Sequence, residues 1–265
     1  MRRHQLVWGI ALILFGGLMF ANAMGIRLPN GMSLMELFWP FVLILGGIWM
    51  LASVFFHGHI ELQNASVELQ GASSANLKIN HGAGELKIHS GANINELAHG
   101  SFSGGLDYKA NRNGDRLEVR MKPAKDVMDF PFFGPRHQLD WDVALNAEIP
   151  ITLIMNLGAN KSMIDLRDMN ITELKLETGA SDTHLTLPSR GRFRADLNLG
   201  AASLEVIIPD GLSVRIRASL GAANMHIDKS RFPGQGSFYQ SPDYETAANA
   251  VDMTIDAGAA SIKVR

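Results

Sequence analysis

The sequence predicts an all-β C-terminal domain, a β-solenoid with repeats of about 21 residues, preceded by a two-helix transmembrane hairpin. Three observations lead there. Gly158, Gly179, Gly200 and Gly221 are each followed by alanine, and each lies 21 residues beyond the last. Apolar and polar residues alternate on both sides of these glycines, the period-two signature of strands with one buried face. Two long apolar runs occupy the N-terminal end, which places domain boundaries at 1–56 and 57–265.

The first run extends from Leu6 to Ala23 and the second from Leu37 to Phe56. Each holds about 18–20 residues, enough to cross a hydrocarbon core of ~30 Å as a helix. Gly25, Pro29, Asn30 and Gly31 between them suit a turn. Trp8, Phe38 and Trp39 stand where interfacial aromatics sit. Paired glycines recur in both runs, Gly16 with Gly17 and Gly46 with Gly47, and predict close helix packing. Ala21-Asn22-Ala23 offers an alternative, a secretory signal with a small-residue cleavage site. Arg2 and Arg3 before the first run, against Arg27 alone in the turn, favour a cytoplasmic N-terminus. Two spans would return the chain to that side. The expectation is a multi-pass protein of the plasma (inner) membrane with a cytoplasmic β-domain.

Ahead of the glycines the strands read Ile151, Leu153, Met155; Phe193, Ala195, Leu197; Val214, Ile216, Ala218; and Val251, Met253, Ile255. After them, apolar residues return four and six places on, as at Leu204 and Val206 or Ile262 and Val264. The glycine suits a bend or left-handed backbone and the alanine a tight inward corner. Aligning the repeats puts Glu173, Arg194 and Arg215 in one outward column and Lys175, Asp196 and Arg217 in the next. Opposite charges then meet across rungs ~4.8 Å apart, except for Arg194 against Arg215. A β-sandwich of hairpins is the alternative architecture. Two stretches break the rhythm, 122–141 and 228–249, and both read as loops or caps over open strand edges. The first contains Phe130, Phe132 and Phe133 between prolines, either a cap on the core or a contact surface for membrane or a partner protein.

Composition narrows function. With 24 Lys plus Arg against 26 Asp plus Glu, the chain lacks the cationic surplus of a general nucleic-acid binder. The absence of cysteine excludes disulfides, thiol nucleophiles and Cys-ligated metals. No nucleophile-elbow, phosphate-loop or dinucleotide fingerprint is present. His57 and His59 form an H-x-H without an indicated third ligand. His184, Glu205 and His226 share an outward column, a metal or pH-sensing set or else an exposed ladder. Asp165 and Asp168 in MIDLRDM could suggest a polysaccharide-cleaving solenoid, but Asp165 reads better as an outward strand residue beside Ile164 and Leu166. Arg190, Arg192 and Arg194 share a strand face that suits an anionic partner or solvent. No enzyme activity, cofactor or metal is expected.

WPFVLILGGIWML in the second run resembles the second helix of the LiaI-like and LiaF-like cell-envelope stress proteins. SMIDLRDMNITELKLETGASDTHLTLP, with GAASLEV, GAANMHI and GAASIKV, resembles the "toast-rack" β-domain of LiaF-like proteins. The resemblance implies a bacterial envelope-stress regulator or scaffold whose β-domain binds proteins. Its partners would be the lipid bilayer and either a membrane protein such as a sensor kinase or a second copy. An adhesin-like or ligand-binding extracytoplasmic solenoid is the alternative.

Overall fold

The computed structural model describes residues 62–124 and 139–265, and, nearer the N-terminus, 13, 15–17, 19, 20, 24, 25, 38–40, 42–44 and 46–48. The chain divides into two compact units, 1–58 and nearly all of the remainder.

Seventeen strands are described in the larger unit. The first six are β1 (Leu62–Glu68), β2 (Ser74–Ser90), β3 (Glu96–Ser103), β4 (Leu106–Asn113), β5 (Arg116–Pro123) and β6 (Trp141–Leu145). The repeats supply β7 (Ile151–Asp165), β8 (Ile171–Thr178), β9 (Asp182–Thr186), β10 (Arg192–Leu199), β11 (Ser203–Ile207), β12 (Ser213–Leu220) and β13 (Asn224–Ile227). The last four are β14 (Gly234–Gln235), β15 (Phe238–Gln240), β16 (Ala250–Ala257) and β17 (Ser261–Val264).

These strands stack as the expected solenoid, with two faces joined at a corner. On one face the central order is β2, β7, β8, β10, β16, β12, all parallel. On the other it is β6, β2, β7, β9, β11, β17, β13, also parallel. β2 and β7 run through the corner and serve both faces. Antiparallel pairs finish the N-terminal end, β4 with β5 and β1 with β3 with β6. Between the faces lies one apolar core. Leu77, Leu153, Leu174, Leu197, Ile255 and Ile216 enter it from successive rungs of the first face, and all are buried.

The rungs do not stack in chain order. β16 and β17 come last in sequence, yet they lie between β10–β11 and β12–β13. The charge columns fit this order. Asp252 pairs in register with Arg194 on one side and Arg215 on the other, which removes the expected arginine contact. Arg217 reaches across to Asp252 with 2.7 and 2.8 Å hydrogen bonds. The expected Glu173–Arg194 and Lys175–Asp196 pairings are present. The 228–249 segment folds back over the first-face end. There β15 pairs antiparallel with β12, and Phe232, Tyr239 and Tyr244 are buried.

The corner glycines act through closeness. None of Gly158, Gly179, Gly200, Gly221 and Gly258 has a positive φ. A Cβ on Gly200 would lie 2.9 Å from the Gly179 carbonyl oxygen, and one on Gly258 3.2 Å from that of Gly200. At Gly158 it would overlap the Gly82 carbonyl. Each glycine therefore sits on the backbone of the rung beneath, where a side chain has no room. The alanine that follows is exposed, as at Ala201 and Ala259, and the next residue, Ala202 or Ala260, turns inward. The inward corner is thus one position later than the sequence suggested.

The membrane expectation is corrected. Among the described residues no helix is long and apolar enough to cross a membrane. Neither a transmembrane hairpin nor a multi-pass placement with a cytoplasmic β-domain is therefore supported. In this unit the Phe15 and Phe38 rings lie 5.7 Å apart. Among the described residues, a Cβ on Gly16, Gly17, Gly46 or Gly47 would meet nothing within 4 Å.

Candidate functional site: the glycine-corner groove

Where the first face meets the corner, the missing side chains leave a groove. Gly158, Gly179, Gly200 and Gly258 form its floor, and its volume is about 830 Å³. One wall is an outward column, in spatial order Asn156, Glu177, Asn198, Asp256 and Ser219. Parallel in-register stacking puts these side chains one rung apart, ~4.8 Å. The column alternates amides with carboxylates and ends on a hydroxyl, so it can both donate and accept. Lys175 Nζ holds the Glu177 carboxylate at 2.9 Å, and this bond raises the lysine pKa above its ordinary value. Oriented with its nitrogen toward Glu177 Oε2 (3.2 Å), the Asn156 amide accepts from Lys78 Nζ (3.2 Å). Among the described residues, Thr178 Oγ1, buried at the groove floor, has no hydrogen-bond partner. An open polar trough of this kind suits an extended chain better than a compact small molecule, which favours a concave and largely apolar pocket.

The second face carries a charge cluster centred on Glu205. His184 Nδ1 lies 3.0 Å from this carboxylate, Lys263 Nζ 3.1 Å and Arg265 Nε 2.9 Å. These donors, Lys263 foremost, hold the Glu205 pKa below the ordinary carboxylate range. The expected His184–Glu205–His226 column is interrupted, because Lys263 stands in register between Glu205 and His226. Among the described residues no group of three His, Cys, Asp or Glu side chains could hold a metal ion. A lysine donor in the middle of the column makes the arrangement an ion-pair ladder.

The arginine face divides. Arg192 donates to the Ala247 carbonyl at 2.6 Å and lies 5.7 Å from the Tyr244 ring centroid, so it tethers the 228–249 cap. Arg215 lies over the same ring at 4.2 Å and donates to Gln240 at 2.9 Å. Arg194 bonds Asp196, and Arg190 is exposed. Asp165 pairs with Arg167 at 3.2 Å, and Asp168 is exposed. Phe130, Phe132, Phe133, His57 and His59 lie outside the described residues.

A second cleft escaped the sequence reading. His89, His99, Ser101 and Asp142 line about 560 Å³ on the second face near the N-terminal end. His89 Nε2 lies 3.0 Å from Asp142 Oδ1, and its Nδ1 lies 2.7 Å from the Ser90 carbonyl. Gly100 leaves room for the Asp142 carbonyl, which a Cβ would overlap. Parallel β2–β6 pairing brings His89 to Asp142, and antiparallel β3–β6 pairing brings His99 and Ser101 there, outside the 21-residue period, so no repeat could announce them. Their only sequence signal is a glycine within the β3 pattern.

Comparison with known proteins places this architecture. A family model described as the N-terminal domain of toast-rack, DUF2154, matches residues 57–207. The chain belongs to the toast-rack family. This is the domain found in LiaF-like proteins, as the GAASLEV-type corners led one to expect. Among solved structures, a candidate cell adhesion protein from Clostridium sporogenes superposes with a TM-score of 0.66 at 22% identity, covering 77% of this chain and 98% of that one. A candidate adhesin from Bacteroides fragilis is far more distant, with a TM-score of 0.27 at 7% identity over 77% of this chain and 97% of that one. No curated protein matches. The Clostridium structure shares the toast-rack fold.

Proposed function

We propose that this toast-rack protein is a non-enzymatic regulator or scaffold of the cell-envelope stress response, and that its β-domain binds an extended segment of a partner protein such as a sensor kinase. The corner groove carries this reading. It is open, crosses five rungs, and presents donors and acceptors at the rung repeat, which suits the polar edge of a peptide. Membership of the family found in LiaF-like proteins supports the stress-response context.

The test is complementation. Deleting the gene in its native host should change the output of an envelope-stress reporter, and the intact gene should restore it. A Glu177→Lys/Asp256→Lys variant reverses the groove charge at half-buried Glu177 and exposed Asp256 and should fail to restore it while melting within a few degrees of the parent. A reporter indifferent to deletion would remove the proposal. The same hydroxyl-tolerant column also suits glycans. Saturable glycan binding that this variant loses, with reporter output unchanged, would favour an adhesive role instead.

A further inference from the structure

Over much of the stack, register sets a cation against a carboxylate, as at Lys175–Asp196, Lys161–Asp182 and Lys87–Asp142. At the N-terminal end of the first face it does the reverse. Arg120 on β5 stands in register between Lys78 on β2 and Lys109 on β4. Three cations therefore share one outward row, with ~4.8 Å between strands. Like charges directly opposite one another destabilise a sheet. Lys87, Lys122 and Lys175 each hold a carboxylate, at 3.6, 3.1 and 2.9 Å. Among the described residues, Lys78, Lys109 and Arg120 hold none. The Lys78 ammonium instead donates to a neutral group, the Asn156 amide oxygen at 3.2 Å. Lys109 and Arg120 are exposed and Lys78 is half-buried, so all three can turn toward one ligand.

The rows on either side shape the occupant. Two residues along the strands, Glu118 stands between Asn76 and Asn111. Two residues the other way, Lys122 is neutralised by Asp107 at 3.1 Å. Positive charge is thus confined to a line about 10 Å long that crosses three strands. A broad anionic plane such as a bilayer would also press on Glu118. A thread of anionic groups lying along the line meets cations alone.

We propose that the Lys78–Arg120–Lys109 row binds a linear phosphate-bearing polyanion. The planar guanidinium of Arg120 bonds one phosphate through two parallel N–H donors, and the lysines neutralise its neighbours on either side as point charges. The ligand supplies the opposite charge that the sheet itself omits, so binding relieves the in-register repulsion. A chain with a net charge of -2 repels polyanions elsewhere, which restricts them to this row. The site is separate from the peptide reading of the corner groove and does not rest on it.

The test titrates the full-length chain with inorganic polyphosphate and follows binding by calorimetry. Saturable binding is expected, and three neutralised phosphates predict an affinity that falls about 20-fold between about 50 and 200 mM salt. Lys78→Gln/Lys109→Gln/Arg120→Gln should abolish binding and its salt dependence, while melting no lower than the parent, because a repulsion is removed. Should that variant melt lower, Arg120→Gln alone replaces it, with a weaker affinity and a shallower salt dependence expected. Lys161→Gln/Arg190→Gln/Lys229→Gln removes the same charge at exposed positions elsewhere and should bind as the parent does. Equal losses in the two triple variants would overturn the proposal, since bulk charge would then account for binding. So would the absence of saturable binding, or inorganic phosphate binding as tightly as the polymer. Phosphatidylglycerol vesicles bound more tightly than polyphosphate would overturn the linear occupant in favour of a bilayer.

Discussion

The rungs from β7 to β11 and those from β12 to β17 use one residue pattern and are assembled by different rules. In the first set each rung lies on the one before it in the chain, with glycine on glycine and charge on opposite charge. In the second set the final segment is threaded between two earlier ones. The apolar pattern does not distinguish the two arrangements, because every repeat offers the same buried positions at the same spacing. The outward charges do. Where neighbouring columns are complementary, as for Lys175 and Asp196, chain order and stacking order agree. Where chain order would juxtapose Arg194 and Arg215, Asp252 is brought between them. In a stacked repeat, the core sets the spacing and the surface sets the sequence of rungs.

The largest expected effect tests the shared core. Val206 is fully buried with Leu185 and Val264 on its flanking rungs. Val206→Asp buries a charge without a partner and should cost ~3 kcal/mol or more. Met225 is only half-buried on the end strand β13, so Met225→Asp should cost distinctly less. Chemical denaturation of both variants measures the difference, and equal losses would mean that the end rung is as enclosed as the middle.

Gly200→Ala comes next. Its Cβ would press on backbone, the Gly179 carbonyl at 2.9 Å, and should cost about 1–3 kcal/mol. Gly221→Ala, at 3.1 Å on the end rung, should cost less because that rung can shift outward. A neutral Gly200→Ala would show that the corner is looser than the stacking requires.

Acid should act on two parts of the stack in separate windows. Burial lowers the His81 pKa from its ordinary value near 6.5, so below that pH the unfolded chain binds the proton more readily and stability falls. The Glu205 pKa is also depressed, chiefly by Lys263. Its contribution is present above the unfolded carboxylate value, about 4.3, and is lost as pH falls through the folded one. His81→Gln should therefore flatten the stability profile just below pH 6.5, and Glu205→Gln only at the acidic end. The same arm persisting in both variants would contradict this assignment. His184→Ala should have the smallest effect, within about 0.5 kcal/mol by thermal melting, because its bond to Glu205 is partly exposed and Lys263 and Arg265 remain.

The sequence by itself determined the solenoid, its period and its inward residues, because alternation and stacked glycines are local constraints. A strand exposes alternate residues whatever its neighbour, and the 21-residue spacing of Gly158, Gly179, Gly200 and Gly221 requires units of equal length. It also carried the decisive hint about order, the Arg194–Arg215 conflict, without stating the remedy. Only the tertiary structure decided which rung lies beside which, since Asp252 is 58 residues beyond Arg194 and in-register pairing is a long-range choice. It decided the groove as well, whose column of Asn198 beside Asp256 exists only once the last rung is inserted. It also decided the His89–Asp142 cleft, where parallel β2–β6 pairing and antiparallel β3–β6 pairing meet outside the repeat. The apolar N-terminal runs had the composition of spans, yet composition sets only a preference for burial, and among the described residues no helix is long and apolar enough to cross a bilayer. Period and polarity are written residue by residue, whereas adjacency depends on the free energy of the whole stack.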